Sequence, residues 1–461
     1  MTVAAAPVFR RVRFVLGGAL ALITALAAPA AAGPAAPAAP VRAPSGPLAV
    51  AFDTASARYD VPRDLLVALG YAETRLDMHA GAPSAAGGHG LMHLVHNPRQ
   101  RTLDEAATLT GLDPAALRTD PAANVLGAAA VLRAYADEAG LTATARDDLG
   151  RWYGAVARYG GAREASAARL YADTVYDLLR SGFSSDAGES VPGRAVTLRR
   201  GELERAAPGG IGTLSADYPP AAWAPASTSN YTVASRPGSH PVTYVVIHVT
   251  QGSYAGSISW FQNPAAQVSA HYTFRSSDGA VTQSVREKDI AWHAGNWTYN
   301  TRSIGIEHEG YVDNPAWFTD AMYRASAALT RSLTAKYGIP RDRAHIIGHV
   351  EVPGATHTDP GPNWNWTYYM QLVNGVTGIG SGTVATSGNL NVRSGPGTGY
   401  AVVDTLAPGA TVSVYCQTAG TSVTGPYGTS TVWNRIGTNR WVSDAYVLTG
   451  HSGYIPGVPR C

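Results

Sequence analysis

The sequence predicts a multidomain chain in which three fold classes follow one another: an all-α region, an α/β region with a mixed sheet, and a small all-β barrel. Apolar residues recur at helical spacing through the first part. Short apolar strands mix with a helix in the middle, and period-two runs broken by turn residues fill the end. At 461 residues the chain has room for two or three separate cores.

Residues 1–32 read as a secretory signal peptide. Arg10, Arg11 and Arg13 precede an apolar run over residues 14–28, and Ala30-Ala31-Ala32 offers a small-residue cleavage site. The run is short for a membrane span and leads into Pro-Ala repeats, so the expectation is a secreted protein with no membrane segment in its mature form. An uncleaved anchor is the alternative. Residues 33–47 are an Ala/Pro-rich linker. Over 48–185 the pattern is helical: Leu65, Leu66, Leu69 and Tyr71 follow Pro62, and Gly127-Ala128-Ala129-Ala130-Val131-Leu132 continues into Tyr135.

Residues 186–216 lose periodicity and carry Pro192, Gly193, Pro208, Gly209 and Gly210, the composition of a second linker. Over 217–375 strands are expected at 244–249, 270–274 and 303–306. A helix over 321–337 is ended by Gly338 and Pro340, and a further strand lies at 345–349. Together these make one α/β domain. Residues 376–385 form a Gly/Ser-rich connector. From 386 to 461, runs such as Val412-Ser413-Val414-Tyr415 alternate with turn residues.

Composition narrows the function. Charged residues are 15% and the net charge is +2, without the basic stripe of a nucleic-acid binder. Tyr (23) and Trp (10) exceed Phe (7); rings with a polar edge suit sugar and peptide surfaces, and equally a protein core. The two cysteines, Cys416 and Cys461, read in an exported chain as one disulfide, with two unrelated thiols as the alternative.

Eight of the 13 histidines fall between His240 and His357. His248 ends the apolar strand Val245-Val246-Ile247, His349 follows Ile346-Ile347-Gly348, and Asp359 lies in Thr358-Asp359-Pro360-Gly361. Two imidazoles and a carboxylate leave one tetrahedral position open, as a catalytic zinc site needs; buried structural histidines are the competing reading. No His-Glu-x-x-His helix and no Gly-x-Ser-x-Gly elbow is present.

These segments resemble the zinc-dependent N-acetylmuramoyl-L-alanine amidases, which share their fold with peptidoglycan recognition proteins. The matching stretches are Val246-Ile247-His248, Val268-Ser269-Ala270-His271-Tyr272, Ala291-Trp292-His293-Ala294-Gly295, Ser303-Ile304-Gly305-Ile306-Glu307, and Gly348-His349 through Thr358-Asp359-Pro360-Gly361-Pro362. The resemblance implies Zn2+ held by His248, His349 and Asp359, with Glu307 as catalytic glutamate. It also implies His357 and Tyr272 as donors near the metal. On a strand Glu307 and His308 point to opposite faces, so only one can face the metal. Trp292 and His293 either line the substrate cleft or pack structurally.

The helical region resembles the lysozyme-like core of lytic transglycosylases. Glu73-Thr74-Arg75 matches a glutamate-led helix end, and Gly90-Leu91-Met92-His93-Leu94 the following block, with His93 in place of glutamine. Glu73 is then either a second catalytic acid or the remnant of one in a glycan-binding domain. The C-terminal stretch Asn389-Leu390-Asn391-Val392-Arg393-Ser394-Gly395-Pro396-Gly397 resembles the opening of bacterial SH3-like wall-binding modules. The combined expectation is a monomeric, secreted peptidoglycan hydrolase that cuts the amide between N-acetylmuramic acid and L-alanine. The alternatives are a non-catalytic recognition protein and a glycan-cleaving enzyme using Glu73.

Overall fold

The computed structural model describes residues 46–206, 213–375, 380–437, 439–456 and 458–461. The signal segment and nearly all of the first linker lie outside these. No helix among the described residues is long and apolar enough to cross a membrane.

The N-terminal region is built from seven helices: α1 (Pro47–Tyr59), α2 (Arg63–Thr74), α3 (Thr102–Thr110), α4 (Pro114–Thr119), α5 (Pro121–Glu138), α6 (Tyr153–Tyr159) and α7 (Ala165–Ser181). Two short hairpins accompany them, β1 (Gly88–His89) with β2 (Leu94–Val95) and β3 (Phe183–Ser184) with β4 (Ser190–Val191). Asp113 and Asp120 cap α4 and α5 by accepting amide protons of the first turn, with proline opening each helix. The small residues Gly127, Ala128 and Ala129 let α5 run through the core; a Cβ on Gly127 would meet Leu117 at 2.7 Å. The stretch read as a second linker packs closely where it is described. Glu189 and Val191 are buried, and Glu189 accepts from Arg63.

The central region holds one seven-stranded sheet. Its strands are β5 (Thr213–Leu214), β6 (Ala222–Trp223), β8 (Tyr244–Val249), β9 (Tyr272–Phe274), β10 (Val281–Gln283), β12 (Ser303–His308) and β13 (Ile346–Gly348), in the order β13-β8-β12-β9-β10-β6-β5. A separate pair joins β7 (Tyr231–Thr232) to β11 (Ile290–Ala291). β13, β8, β12 and β9 run parallel. Alternation sorts their side chains. Val245, Ile247, Ile304, Ile306, Tyr272 and Phe274 enter one apolar core, beneath α10 (Asp320–Tyr337) and α11 (Trp366–Val373). Val246, His248, Gly305 and Glu307, at the intervening positions, take the other face, where α8 (Tyr254–Gln262) and α9 (Trp297–Arg302) lie nearby.

The C-terminal region has eight strands in two sheets, β17-β14-β21 and β16-β15-β20-β19-β18. They are β14 (Gly380–Val384), β15 (Leu390–Arg393), β16 (Val402–Leu406), β17 (Thr411–Val414), β18 (Cys416–Gly425), β19 (Gly428–Gly437), β20 (Arg440–Ser443) and β21 (Val447–Leu448). Cys416 and Cys461 form a disulfide across 45 residues, and both pack against the central core. The Arg435 guanidinium lies over the ring of Tyr368, so the β-rich region sits directly on the α/β region.

Candidate active site

The carboxyl ends of β8, β12 and β13 converge on one cleft of about 670 Å³. β8 places His248 directly opposite Glu307 of β12. β13 ends at Gly348, and the chain turns at once into a short 3-10 segment that begins with His349. Asp359 returns beneath both imidazoles. Its Oδ2 lies 3.3 Å from Nδ1 of His248, and its Oδ1 lies 3.1 Å from Nδ1 of His349. The Val249 amide donates to the same carboxylate at 3.3 Å.

These three buried side chains offer ligand atoms within 4.8 Å of one another, the one such group among the described residues. Burial is the foremost influence on His248 and lowers its pKa to about 4, so the imidazole is neutral, as a metal ligand must be. Burial would raise Asp359, but the imidazoles of His248 and His349 beside it outweigh that and hold the carboxyl well below its ordinary range. Two imidazoles and a carboxylate fit a zinc ion with one position left for water.

With both Nδ1 atoms turned toward Asp359, Nε2 of His248 donates to Nδ1 of His293 at 2.9 Å. The Nε2 proton of His293 then goes to Ser303 Oγ at 3.1 Å, and that hydroxyl donates to the Tyr299 carbonyl at 2.6 Å. Every group in the chain is satisfied by one arrangement of protons, which fixes the ring of His248. Gly305 makes room for it, since a Cβ there would lie 2.4 Å from the His293 ring. His293 thus both lines the cleft and packs, while Trp292 lines the cleft with its indole N–H bound to Thr232 Oγ1 at 3.0 Å.

Glu307 lines the cleft, and its Oε2 is shielded from solvent without a hydrogen-bond partner. Burial first, and then the charge of Asp359, hold its carboxyl well above the ordinary range. His308 points to the opposite face between Phe274 and Trp364, as alternation requires. His357 is exposed at the cleft rim, its ring stacked on His349 with centroids 4.9 Å apart.

The expected role of Tyr272 is corrected by the structure. Tyr272 pairs with Ile306 and shares its core-facing side, where the phenol donates to Glu287 Oε1 at 2.6 Å, away from the cleft. The same alternation that separates Glu307 from His308 excludes it. Glu73 ends up buried against the central region. Tyr171 donates to its Oε1, Ser253 donates to its Oε2 at 2.9 Å, and His93 lies 3.5 Å away. Sequence reasoning also missed that Ser84, Ala85, Ala86 and His93 of the helical region wall the cleft; nothing in the linear pattern marks that contact.

The family model described as N-acetylmuramoyl-L-alanine amidase matches residues 238–362, and that of the bacterial SH3 domain matches 388–448. N-acetylmuramoyl-L-alanine amidase A of Achromobacter lyticus is 44% identical over 176 residues, which cover 34% of this chain and 96% of that protein. The chain belongs to the N-acetylmuramoyl-L-alanine amidase family. The 1,6-anhydro-N-acetylmuramyl-L-alanine amidase AmpD of Escherichia coli (strain K12) is 41% identical over 113 residues, 23% of this chain and 59% of AmpD. A crystal structure of a selenomethionine AmpD derivative aligns with 35% of this chain and 99% of its own, at 28% identity and a TM-score of 0.29. The amidase is therefore multidomain, with its α/β catalytic region followed by a β-rich region consistent with an SH3 domain.

Proposed function

We propose that this amidase is an exported hydrolase that uses zinc to cut the bond between the lactyl group of N-acetylmuramic acid and L-alanine in wall peptidoglycan. The observation that carries the reading is the pairing of the His248–His349–Asp359 group with a carboxylate, Glu307, whose Oε2 is shielded and unpartnered, in one cleft. A zinc ion held by those three side chains supplies Lewis acidity and a water of lowered pKa. Glu307 takes the proton of the attacking water at its free Oε2 and returns it to the departing amine nitrogen. The raised affinity of its carboxyl for a proton suits it to carry one between the two steps. His357 at the rim presents a ring N–H toward the carbonyl oxygen as charge builds there. His293 and Ser303 keep the His248 imidazole aimed. The basic and apolar N-terminal stretch supports export, and the SH3 match supports wall attachment by the C-terminal region.

The test is digestion of purified walls by wild type and Glu307→Gln, with mass spectrometry of the fragments and metal analysis of both proteins. Wild type should release stems with new L-alanine amino termini. The variant should lose about 10²–10⁴-fold in rate while keeping its metal. A variant as active as wild type, or products with new sugar ends and intact amides, would overturn the reading.

A further inference from the structure

The cleft does not stop at the domain boundary. A second cavity of about 260 Å³ extends from Glu73 and His93 to Arg99, Gln100 and Arg163. Ala86, His93, Gly256 and Trp260 line both cavities, so the two form one trough leading away from the metal-binding group. One wall is the loop around β1 and β2 of the helical region; the other is α8 of the amidase region.

We propose that this trough seats the glycan strand of polymeric peptidoglycan, so that the helical region acts as a substrate-positioning wall of the amidase. The proposal rests on the reading that the scissile amide is a muramoyl amide, because a sugar chain then continues from the reacting centre. Trp260 is half-buried where the two cavities meet, and its indole offers an apolar face for the C–H side of a pyranose ring. Beyond it, Gln262 lines the second cavity with its Oε1 shielded from solvent and unpartnered, an acceptor waiting for a hydroxyl or acetamido N–H. At the far end Arg99 and Arg163 are exposed and make no ion pair among the described residues. A strand stripped of its stems carries a lactyl carboxylate on every second sugar, and these two guanidiniums complement it.

The wall is rigidly held. Nε2 of His93 lies 2.7 Å from Ser84 Oγ, over Gly88, where a Cβ would come within 2.2 Å of the ring. Glu73 joins the two regions through Tyr171 on one side and Ser253 on the other. With both oxygens engaged by hydroxyls, Glu73 is a positioning residue that keeps α8 against the wall.

The test measures binding of stem-free glycan strands, prepared from purified peptidoglycan, to the full-length Glu307→Gln protein. Trp260→Ala and Arg99→Ala/Arg163→Ala are each added to that background. Removing the indole should weaken binding about tenfold, the usual effect of truncating an aromatic anchor. The double arginine variant should weaken it about fivefold and flatten its dependence on salt. Both arginines are on the surface, so this variant decides the matter should Trp260→Ala fail to fold. Strands that do not bind, or that bind the double variant as well as the parent, overturn the proposal; binding through the C-terminal region alone would give that second result. Amide cleavage without strand binding sinks the trough alone. Strand binding with these losses, in a protein that cuts no amide, sinks the chemical reading and leaves the trough standing.

Discussion

Burial of His308 predicts that the fold loses stability in acid. The imidazole is fully buried, donates from Nδ1 to the His248 carbonyl at 2.8 Å, and accepts at Nε2 from Ser326 Oγ at 2.7 Å. Both bonds suit the neutral ring, and protonation would put a charge where burial keeps water out. Burial, the dominant cause, lowers the pKa from an ordinary 6.5 to about 3. The folded value is depressed, so the stabilisation is complete above 6.5 and is lost as pH falls from there toward 3. At pH 5 the loss is about 2 kcal/mol, and by pH 3 it reaches about 4 kcal/mol, at 1.36 kcal/mol per unit. His308→Gln keeps a donor and an acceptor but cannot titrate. Urea unfolding of the metal-free wild type and variant between pH 7.5 and 4 should show the wild type losing stability faster as pH falls. Curves that stay parallel across this range would refute the argument.

His293→Asn should weaken zinc binding about 10–100-fold, measured by competition with a chelator, because His248 loses the partner that fixes its ring. Glu73→Gln should leave the cleaved bonds unchanged in mass spectra, and should lower stability by about 1–3 kcal/mol by weakening the bonds from Tyr171 and Ser253. Removing the Cys416–Cys461 disulfide by Cys461→Ser should cost roughly 4 kcal/mol for a loop of that length, seen as a lowered unfolding midpoint for the C-terminal region under non-reducing conditions.

The strand pattern made much of the site legible in advance. Val245-Val246-Ile247-His248 and Ser303-Ile304-Gly305-Ile306-Glu307 are short apolar strands ending in polar groups. Two parallel strands buried in one sheet bring such ends together, because hydrogen bonding fixes their register. The separation of Glu307 from His308 followed from alternation, a property of any single strand. The same rule, carried across to β9, would have placed Tyr272 on the core side, but it needed the pairing of Tyr272 with Ile306. Register between distant strands is set by packing of the whole sheet, and the linear pattern does not contain it.

What the chain determined by itself is local: where helices and strands run, which side chains each strand end presents, and a pair of cysteines able to join. Only the tertiary structure decided which of these ends meet. It turned His293 into the hydrogen-bond partner of His248, drew the phenol of Tyr272 to Glu287, and set Ser253 against Glu73 from 180 residues away. Those contacts depend on how separate surfaces fit when apolar area is buried between them, a property of the assembled faces that no stretch of residues carries alone.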